Sequence, residues 1–420
     1  MPTLRRAAMC VLLAALCATA APAQADFYLK DGDRVVFYGD SITDQRLYTT
    51  FVETYVVTRF PQMKIAFVHS GVGGDRVDGG MNGPIDLRLA RDVVAYKPTV
   101  TTIMLGMNDA KYRAFDQKIF DVYAAGYRHI IQSLKESLAG IRITVIQPSP
   151  FDDVTRPPTF DGGYNKVLLR YSEFVKQLGQ QEMLTVADLN TPVVTALEKA
   201  SKLDAEGAKK IVPDRVHPAP AGHLLMAEAL LKSWHAPALV AAVEIDAAGA
   251  TVVHTGHARV TDLTAGDRIS WTQADDALPM PIDPKDDVLA LALRASDVVD
   301  ALNQEPMKVT GLTAARYSLK IDGESIGSFT KEELAKGVNL ATLATPMARQ
   351  AAAVHDITLR HNVLHFARWR LVELNMQTIA VPPAHVRAAA DALDALDADA
   401  IEQQRAAAQP KPHRFELAAE

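Results

Sequence analysis

A serine, a histidine and an aspartate can act together as nucleophile, base and orienting acid, and this chain carries all three where a fold could join them. Ser41 lies in Gly39-Asp40-Ser41-Ile42-Thr43, directly after the apolar run Val35-Val36-Phe37-Tyr38. Far downstream, Asp214-Arg215-Val216-His217-Pro218 sets a carboxylate three residues before an imidazole. An aspartate that close can accept from one ring nitrogen and leave the other free for Ser41, the arrangement acyl transfer requires. Two further segments offer hydrogen-bond donors for a negative oxygen. His69-Ser70-Gly71-Val72-Gly73-Gly74-Asp75 is a Gly-rich turn whose backbone N–H groups can approach a substrate closely, and Gly106-Met107-Asn108-Asp109 adds the Asn108 side-chain amide. Each piece alone has a plainer reading. Asp and Ser cap helices, Gly clusters and Asn-Asp make turns, and a lone His is more often structural. The weight lies in the whole set arriving in order.

The elements that would position these residues alternate short β-rich runs with longer helical patterns, the mark of a parallel sheet covered by helices on both faces. The expected strands are Arg34 to Tyr38, Ile65 to His69, Val100 to Leu105, Arg142 to Ile146 and Leu184 to Asp188. Helical spacing falls on Gln45 to Phe60, Leu87 to Val94, Asp116 to Leu138, Tyr164 to Leu178 and His223 to Trp234. Residues 26–238 are thus expected to form an α/β fold, a three-layer α/β/α sandwich on a five-stranded parallel sheet, with Ser41 at the carboxyl end of the first strand. Ligands bind at such ends in open α/β sheets.

After Trp234 the pattern changes. Residues 239–330 read as a β-rich accessory region, clearest at Ala250 to Val260 and at Tyr317 to Phe329, a hairpin turning at Asp322-Gly323. Residues 331–420 read as helical, with an amphipathic segment from His355 to Leu374, a shorter helix near Ala384 to Gln404, and a loose tail around Gln409 to Pro412. The helix around Trp369 could serve dimerisation, and the oligomeric state is open.

The four segments resemble the four sequence blocks of the SGNH, or GDSL, hydrolase family over roughly residues 30 to 235. The resemblance implies the flavodoxin-like SGNH fold, with Ser41 as nucleophile and backbone oxyanion donor, Gly74 and Asn108 completing the oxyanion hole, and Asp214 and His217 as the other triad members. It implies neither metal nor cofactor. Two departures are His69-Ser70, where the family often has an Asn before the glycine turn, and Met107 in place of a smaller or more polar residue. Neither removes a catalytic atom.

Other signals compete. Gly323-Glu324-Ser325-Ile326-Gly327 matches a nucleophile elbow, but that elbow needs a strand followed by a helix, and Ser325 is expected in the return strand of a hairpin. Asp214, His217 and His223 could in principle bind a metal, without the spacing of a zinc site. His355, His361 and His365 recur at helical spacing on what reads as a half-exposed helix. Asp40, Arg46, Arg76 and Asp153, with Asp152, Arg156 and Asp161 nearby, are candidates for polar contacts to substrate, against the plainer reading of solvated loop charge.

The 420 residues are 48% hydrophobic and 22% charged, with a formal net charge of -6 and no basic stripe. That balance argues against nucleic acid as a partner. Residues 1–25 read as a secretory signal: Arg5 and Arg6 precede an apolar run from Ala7 to Ala20, too short for the ~20 residues of a membrane span, and Ala23-Gln24-Ala25 fits cleavage. Both cysteines, Cys10 and Cys17, fall in this segment, which removes disulfides and thiol chemistry from the remainder. The expectation is a secreted or periplasmic serine esterase, most simply an acetylesterase on acylated carbohydrate. The alternatives are a lipid or thioester acyl hydrolase and a non-catalytic carbohydrate-binding protein.

Overall fold

The computed structural model describes residues 26–266, 268–283, 285–378 and 381–420; the expected signal segment lies outside them. Five parallel strands form the main sheet: β1 (Arg34–Gly39), β2 (Ala66–Gly71), β3 (Val100–Met104), β4 (Arg142–Ile146) and β5 (Thr185–Ala187), in the order β2-β1-β3-β4-β5. Val35, Val36, Phe37, Val100, Ile103, Val145 and Ile146 are all fully buried, as strands covered on both faces must be. The flanking helices are α1 (Ser41–Asp44), α2 (Leu47–Arg59), α3 (Ile85–Asp92), α4 (Gln117–Ser137), α5 (Tyr164–Gln181), α6 (Thr191–Leu203) and α7 (Pro220–Ser233). Helix α2 packs on α7 and α7 on α6, while α3, α4 and α5 pack in succession, completing a three-layer α/β/α sandwich. Helix α6 had no counterpart among the expected helices.

Register fixes where the site forms. Gly39 at the end of β1 lies opposite Gly71 of β2 and Met104 of β3, so the three following loops emerge side by side. Gly71 is required by this closeness: a Cβ there would sit 2.2 Å from the backbone nitrogen of Asp44.

Beyond Trp234 the chain forms two further sheets from β6 (Ala242–Asp246), β7 (Thr251–Gly256), β8 (Ala258–Thr264), β9 (Arg268–Asp275), β10 (Pro306–Thr310), β11 (Arg316–Ile321), β12 (Glu324–Thr330), β13 (Val338–Asn339) and β14 (His413–Ala419). Their orders are β13-β10-β6-β7 and β8-β9-β14-β11-β12. The expected hairpin is β11–β12, with Asp322 and Gly323 both at positive φ in its turn. Two helices, α8 (Asp287–Ala295) and α9 (Val298–Leu302), interrupt a stretch read as strands throughout. The tail is corrected too. Residues after Pro412 form β14, a central strand whose Phe415 stacks on Trp271 at 5.1 Å and whose alternate side chains His413, Phe415 and Leu417 are buried. Its partners come from far back in the chain, and the preceding prolines mark a break, not an end.

Two long helices, α10 (Pro346–Phe366) and α11 (Pro383–Ala407), pack on each other, and α10 packs on α2. A π-helical segment, Ala367–Leu374, continues α10. Helix α10 is half-exposed, as expected, with Asp356, Arg360 and Val363 on its open face, and His361 and His365 lie on its buried face. His361 Nε2 donates to Glu53 Oε1 at 2.6 Å and its Nδ1 faces Asp397 at 3.1 Å. Glu53 also accepts from Gln404 at 2.9 Å and from His69 Nε2 at 3.1 Å, while His69 Nδ1 meets Thr49 Oγ1 at 2.6 Å. Burial opposes charge on His361, but the Glu53 and Asp397 carboxylates outweigh it and raise the imidazole to about 10. Burial likewise opposes charge on Glu53, yet His361 and His69 hold it well below the ordinary carboxylate range.

The signs of the two shifts set a window. The raised His361 contributes fully below its ordinary 6.5 and loses its contribution as pH rises through about 10. The depressed Glu53 contributes above its ordinary 4.5 and loses it on acidification. Stability from this pair therefore peaks between about pH 5 and 6.5 and declines toward pH 10. Glu53→Gln is expected to cost about 3–5 kcal/mol, as breaking a buried pair does, and to flatten the alkaline decline. Urea unfolding at pH 6 and pH 9.5 measures both; equal pH dependence in the two proteins would refute the assignment.

Candidate active site

Strand β1 ends at Gly39, and Asp40 caps α1 by accepting from the Ile42 N–H at 3.0 Å. Ser41 is therefore the first residue of a short helix above the sheet. Its Oγ lies 2.9 Å from His217 Nε2, and His217 Nδ1 lies 2.7 Å from Asp214 Oδ2. With the proton on Nδ1, the ring donates to Asp214 and accepts from Ser41. Asp214 Oδ1 accepts the Val216 and His217 N–H groups at 2.9 and 2.7 Å, a turn made possible by Arg215 at φ 74°. Partial burial raises the Asp214 carboxyl, but these bonds from His217 and Val216 outweigh it and hold the group below its ordinary value.

The other two loops leave the strand ends on either side of β1. Gly74 sits at φ 77° with open space where a Cβ would be, and its N–H has no partner among the described residues. The Gly73 N–H, by contrast, is held by Asp44 Oδ2 at 3.1 Å. Asn108 Nδ2 donates to the Asp75 carbonyl at 3.2 Å, and Asn108 Oδ1 accepts from the Tyr112 hydroxyl at 3.0 Å. An amide nitrogen carries two hydrogens. One is thus left for a ligand, and the amide cannot turn over without losing both bonds.

Tyr112 was not anticipated. Lys111 and Tyr112 both take positive φ, 57° and 51°, which swings the ring back over Asn108. It stacks on Tyr164 at 5.0 Å, while 45% of its surface stays exposed. Two successive left-handed non-glycine residues have no sequence signature here, since Lys and Tyr are not the types that favour that region.

Several expected contacts are reassigned. Asp40 is 1% exposed, and burial pushes its carboxyl up to about 7, so it supports α1 from beneath and does not face a substrate. Asp153 accepts from the Asn165 N–H and pairs with Arg215 at 3.6 Å. Asp152, fully buried, accepts from Arg156, whose guanidinium also donates to the carbonyls of Lys209, Val212 and Pro213. These rim residues brace the loop that carries Asp214 and His217. Arg46 donates to Asp44 and lies 4.2 Å over the Phe366 ring; Arg76 pairs with Asp78 in the open; Asp161 is exposed. His223 is buried between the Tyr48 N–H and Gln45, and burial, with His217 nearby, pushes it down to about 3. It therefore shares no centre with Asp214. Ser325 pairs opposite Lys320 within β11–β12, and the strand runs on to Thr330 before the next helix begins, so the nucleophile-elbow geometry is absent there.

An open α/β sheet with a hydroxyl, an imidazole and a carboxylate in line at its carboxyl edge is the architecture of a hydrolase. Residues 37–225 match the model of the GDSL-like Lipase/Acylhydrolase family. An acetylxylan esterase of Geobacillus stearothermophilus is 26% identical over 223 residues, which cover 48% of this chain and 93% of the relative. The solved structure of a gut microbial diltiazem-metabolizing enzyme, 25% identical, superposes with a TM-score of 0.80 over 94% of this chain and 100% of that one. Residues 37–225 thus carry a GDSL-like lipase/acylhydrolase domain, and the chain is a hydrolase acting on ester bonds. No helix among the described residues is long and apolar enough to cross a membrane.

Proposed function

We propose that the chain is an exported serine esterase that removes acetyl groups from acylated carbohydrate through Ser41, His217 and Asp214. The observation that carries this reading is the unbroken hydrogen-bonded line from Ser41 Oγ through His217 to Asp214, 2.9 and 2.7 Å long, beside unpaired donors on Gly74 and Asn108. His217 Nε2 takes the Ser41 proton as Oγ attacks the ester carbonyl, and Asp214 stabilises the imidazolium. The oxyanion is held by the N–H groups of Ser41 and Gly74 and by the free Asn108 hydrogen. Collapse expels the alcohol, which takes the proton from His217 and leaves an acyl-serine. Water then gives a proton to His217, attacks the acyl carbon, and releases the acid and Ser41.

The carbohydrate part rests on two supports: the acetylxylan esterase relative, and the exposed ring of Tyr112 beside Asn108, a surface suited to the face of a sugar. Export rests on the character of residues 1–25. The test compares wild type and Ser41→Ala on p-nitrophenyl acetate, p-nitrophenyl octanoate and acetylated xylan. Acetate release by wild type alone, with the acetyl ester preferred over the octanoyl ester, is expected. Equal rates for both proteins would overturn the nucleophile, and preference for octanoate would overturn the acetylesterase reading.

A further inference from the structure

The π-helical segment Ala367–Leu374 places two adjacent side chains, Trp369 and Arg370, on two carboxylates that each end at the loop carrying Gly74. Trp369, 1% exposed, donates from Nε1 to Asp92 Oδ1 at 2.7 Å. Asp92 holds the guanidinium of Arg88, which donates on to Asp75 Oδ2 at 2.7 Å and to the Ser70 carbonyl at 3.2 Å. Asp75 follows Gly74, and its carbonyl is the group that holds Asn108 Nδ2. Arg88, Asp75 and Asp92 are fully buried, so this chain is dry from the indole to the loop. Arg370 reaches Asp44 Oδ2 at 3.5 Å, and the same oxygen accepts the Gly73 N–H at 3.1 Å. One turn of helix thus grips the loop on both sides of Gly74, once through Gly73 and once through Asp75.

We propose that Trp369 and Arg370 are positioning residues of the active site, fixing the Gly73–Asp75 backbone and, through the Asp75 carbonyl, the Asn108 amide. This rests on Gly74 and Asn108 being the oxyanion donors. The need for a grip comes from the loop itself: two successive glycines have the widest backbone freedom, and a donor displaced by about 1 Å can forfeit up to about 100-fold in rate. A π-helical turn is costly where an ordinary helix would serve, and such turns gather at functional sites. The burial of Trp369 also removes it as a dimerisation contact. The C-terminal region thereby supplies part of the site's geometry.

Trp369→Phe keeps an aromatic ring but deletes the N–H donor; Arg370→Gln acts independently through Asp44 and keeps the test intact if the first variant fails to fold. Arg368→Gln is the control, since Arg368 bonds to Asp394 and Glu373 on the same helices, away from the loop. On p-nitrophenyl acetate, with active sites titrated by the acyl-enzyme burst, Trp369→Phe is expected to lower kcat about tenfold with KM within about twofold, and Arg370→Gln to lower it about threefold. Arg368→Gln should keep wild-type kcat at whatever melting temperature it shows. Wild-type kcat in both test variants, or an equal loss in Arg368→Gln, overturns the proposal. Ser41→Ala in the same assay separates the two readings: activity retained there defeats the triad, whereas activity lost there with unchanged Trp369→Phe and Arg370→Gln defeats the clamp alone.

Discussion

Ser41→Ala, His217→Ala and the double variant are expected to lose ester hydrolysis to the same depth, about 10⁴- to 10⁶-fold in kcat, with KM little changed. The reason is that in the proposed mechanism the two residues work as one device. Without His217, the Ser41 hydroxyl keeps its proton at neutral pH and is a poor nucleophile; without Ser41, the His217 base has nothing to activate. Removing the second member of a broken pair therefore costs nothing further. What survives in all three should be the contribution of substrate binding and of the Gly74 and Asn108 donors, which none of the variants touches. The 2.9 Å contact between Ser41 Oγ and His217 Nε2 makes the case specific, since it leaves no room for an intervening group. Initial rates on p-nitrophenyl acetate, with folding checked by circular dichroism, decide it. Losses that multiply in the double variant would mean that Ser41 and His217 act in separate steps, contrary to the proposed mechanism.

The parts of this site that could be read from the sequence are those whose signal is local. Val35 to Tyr38 running into Gly39-Asp40-Ser41 announces a strand ending in a turn, and the three-residue step from Asp214 to His217 suffices to place an acid beside an imidazole. The structure makes that turn as a hydrogen-bonded loop with Arg215 left-handed. What escaped reading depends on partners distant in the chain. Arg156 looked like loop charge because its acceptors, the carbonyls of Lys209, Val212 and Pro213, lie more than fifty residues away and carry no side-chain label. Asp40 looked like a polar group near substrate because sequence gives no depth, yet it is buried beneath α1. The last strand, β14, hid behind two prolines, although His413, Phe415 and Leu417 alternate as a strand should. The buried pairing of His361 with Glu53 had no local sign, because the helix facing it, α2, comes some three hundred residues earlier.

These misses share a consequence for the accessory regions. The sequence invites a catalytic unit with appendages, because composition and periodicity shift after Trp234. Contacts run the other way. Glu53 of α2 is shared among His69, His361 and Gln404, and Asp92 of α3, already held by Arg88 and Arg91, accepts from Trp369 as well. Buried carboxylates of the α/β unit thus take donors from the C-terminal helices, and Glu53 would keep only His69 on their removal, which the interior does not tolerate cheaply.

Asn108→Ala should cost about 100- to 1,000-fold in kcat with little change in KM, the loss typical of a single oxyanion donor. The expectation is at the full value because this amide is already oriented before a substrate arrives. Asp75 fixes one hydrogen and the Tyr112 hydroxyl fixes the oxygen, so the remaining hydrogen has one direction available. A preset donor need not reorganise as charge develops on the oxygen, and that is where its catalytic value lies. Asn108→Asp sharpens the test. The carboxylate is nearly the same shape but has no hydrogen to give, and as an anion it would repel both the oxyanion and the Asp75 carbonyl. It should therefore fall below Asn108→Ala, and its deficit should shrink on acidification as the carboxyl gains a proton and becomes a donor. A role for Asn108 confined to holding Asp75 predicts a different pattern: a lower melting temperature and similar kcat per active site in both variants. Steady-state kinetics from pH 5 to pH 8, normalised by burst titration, distinguishes the two roles.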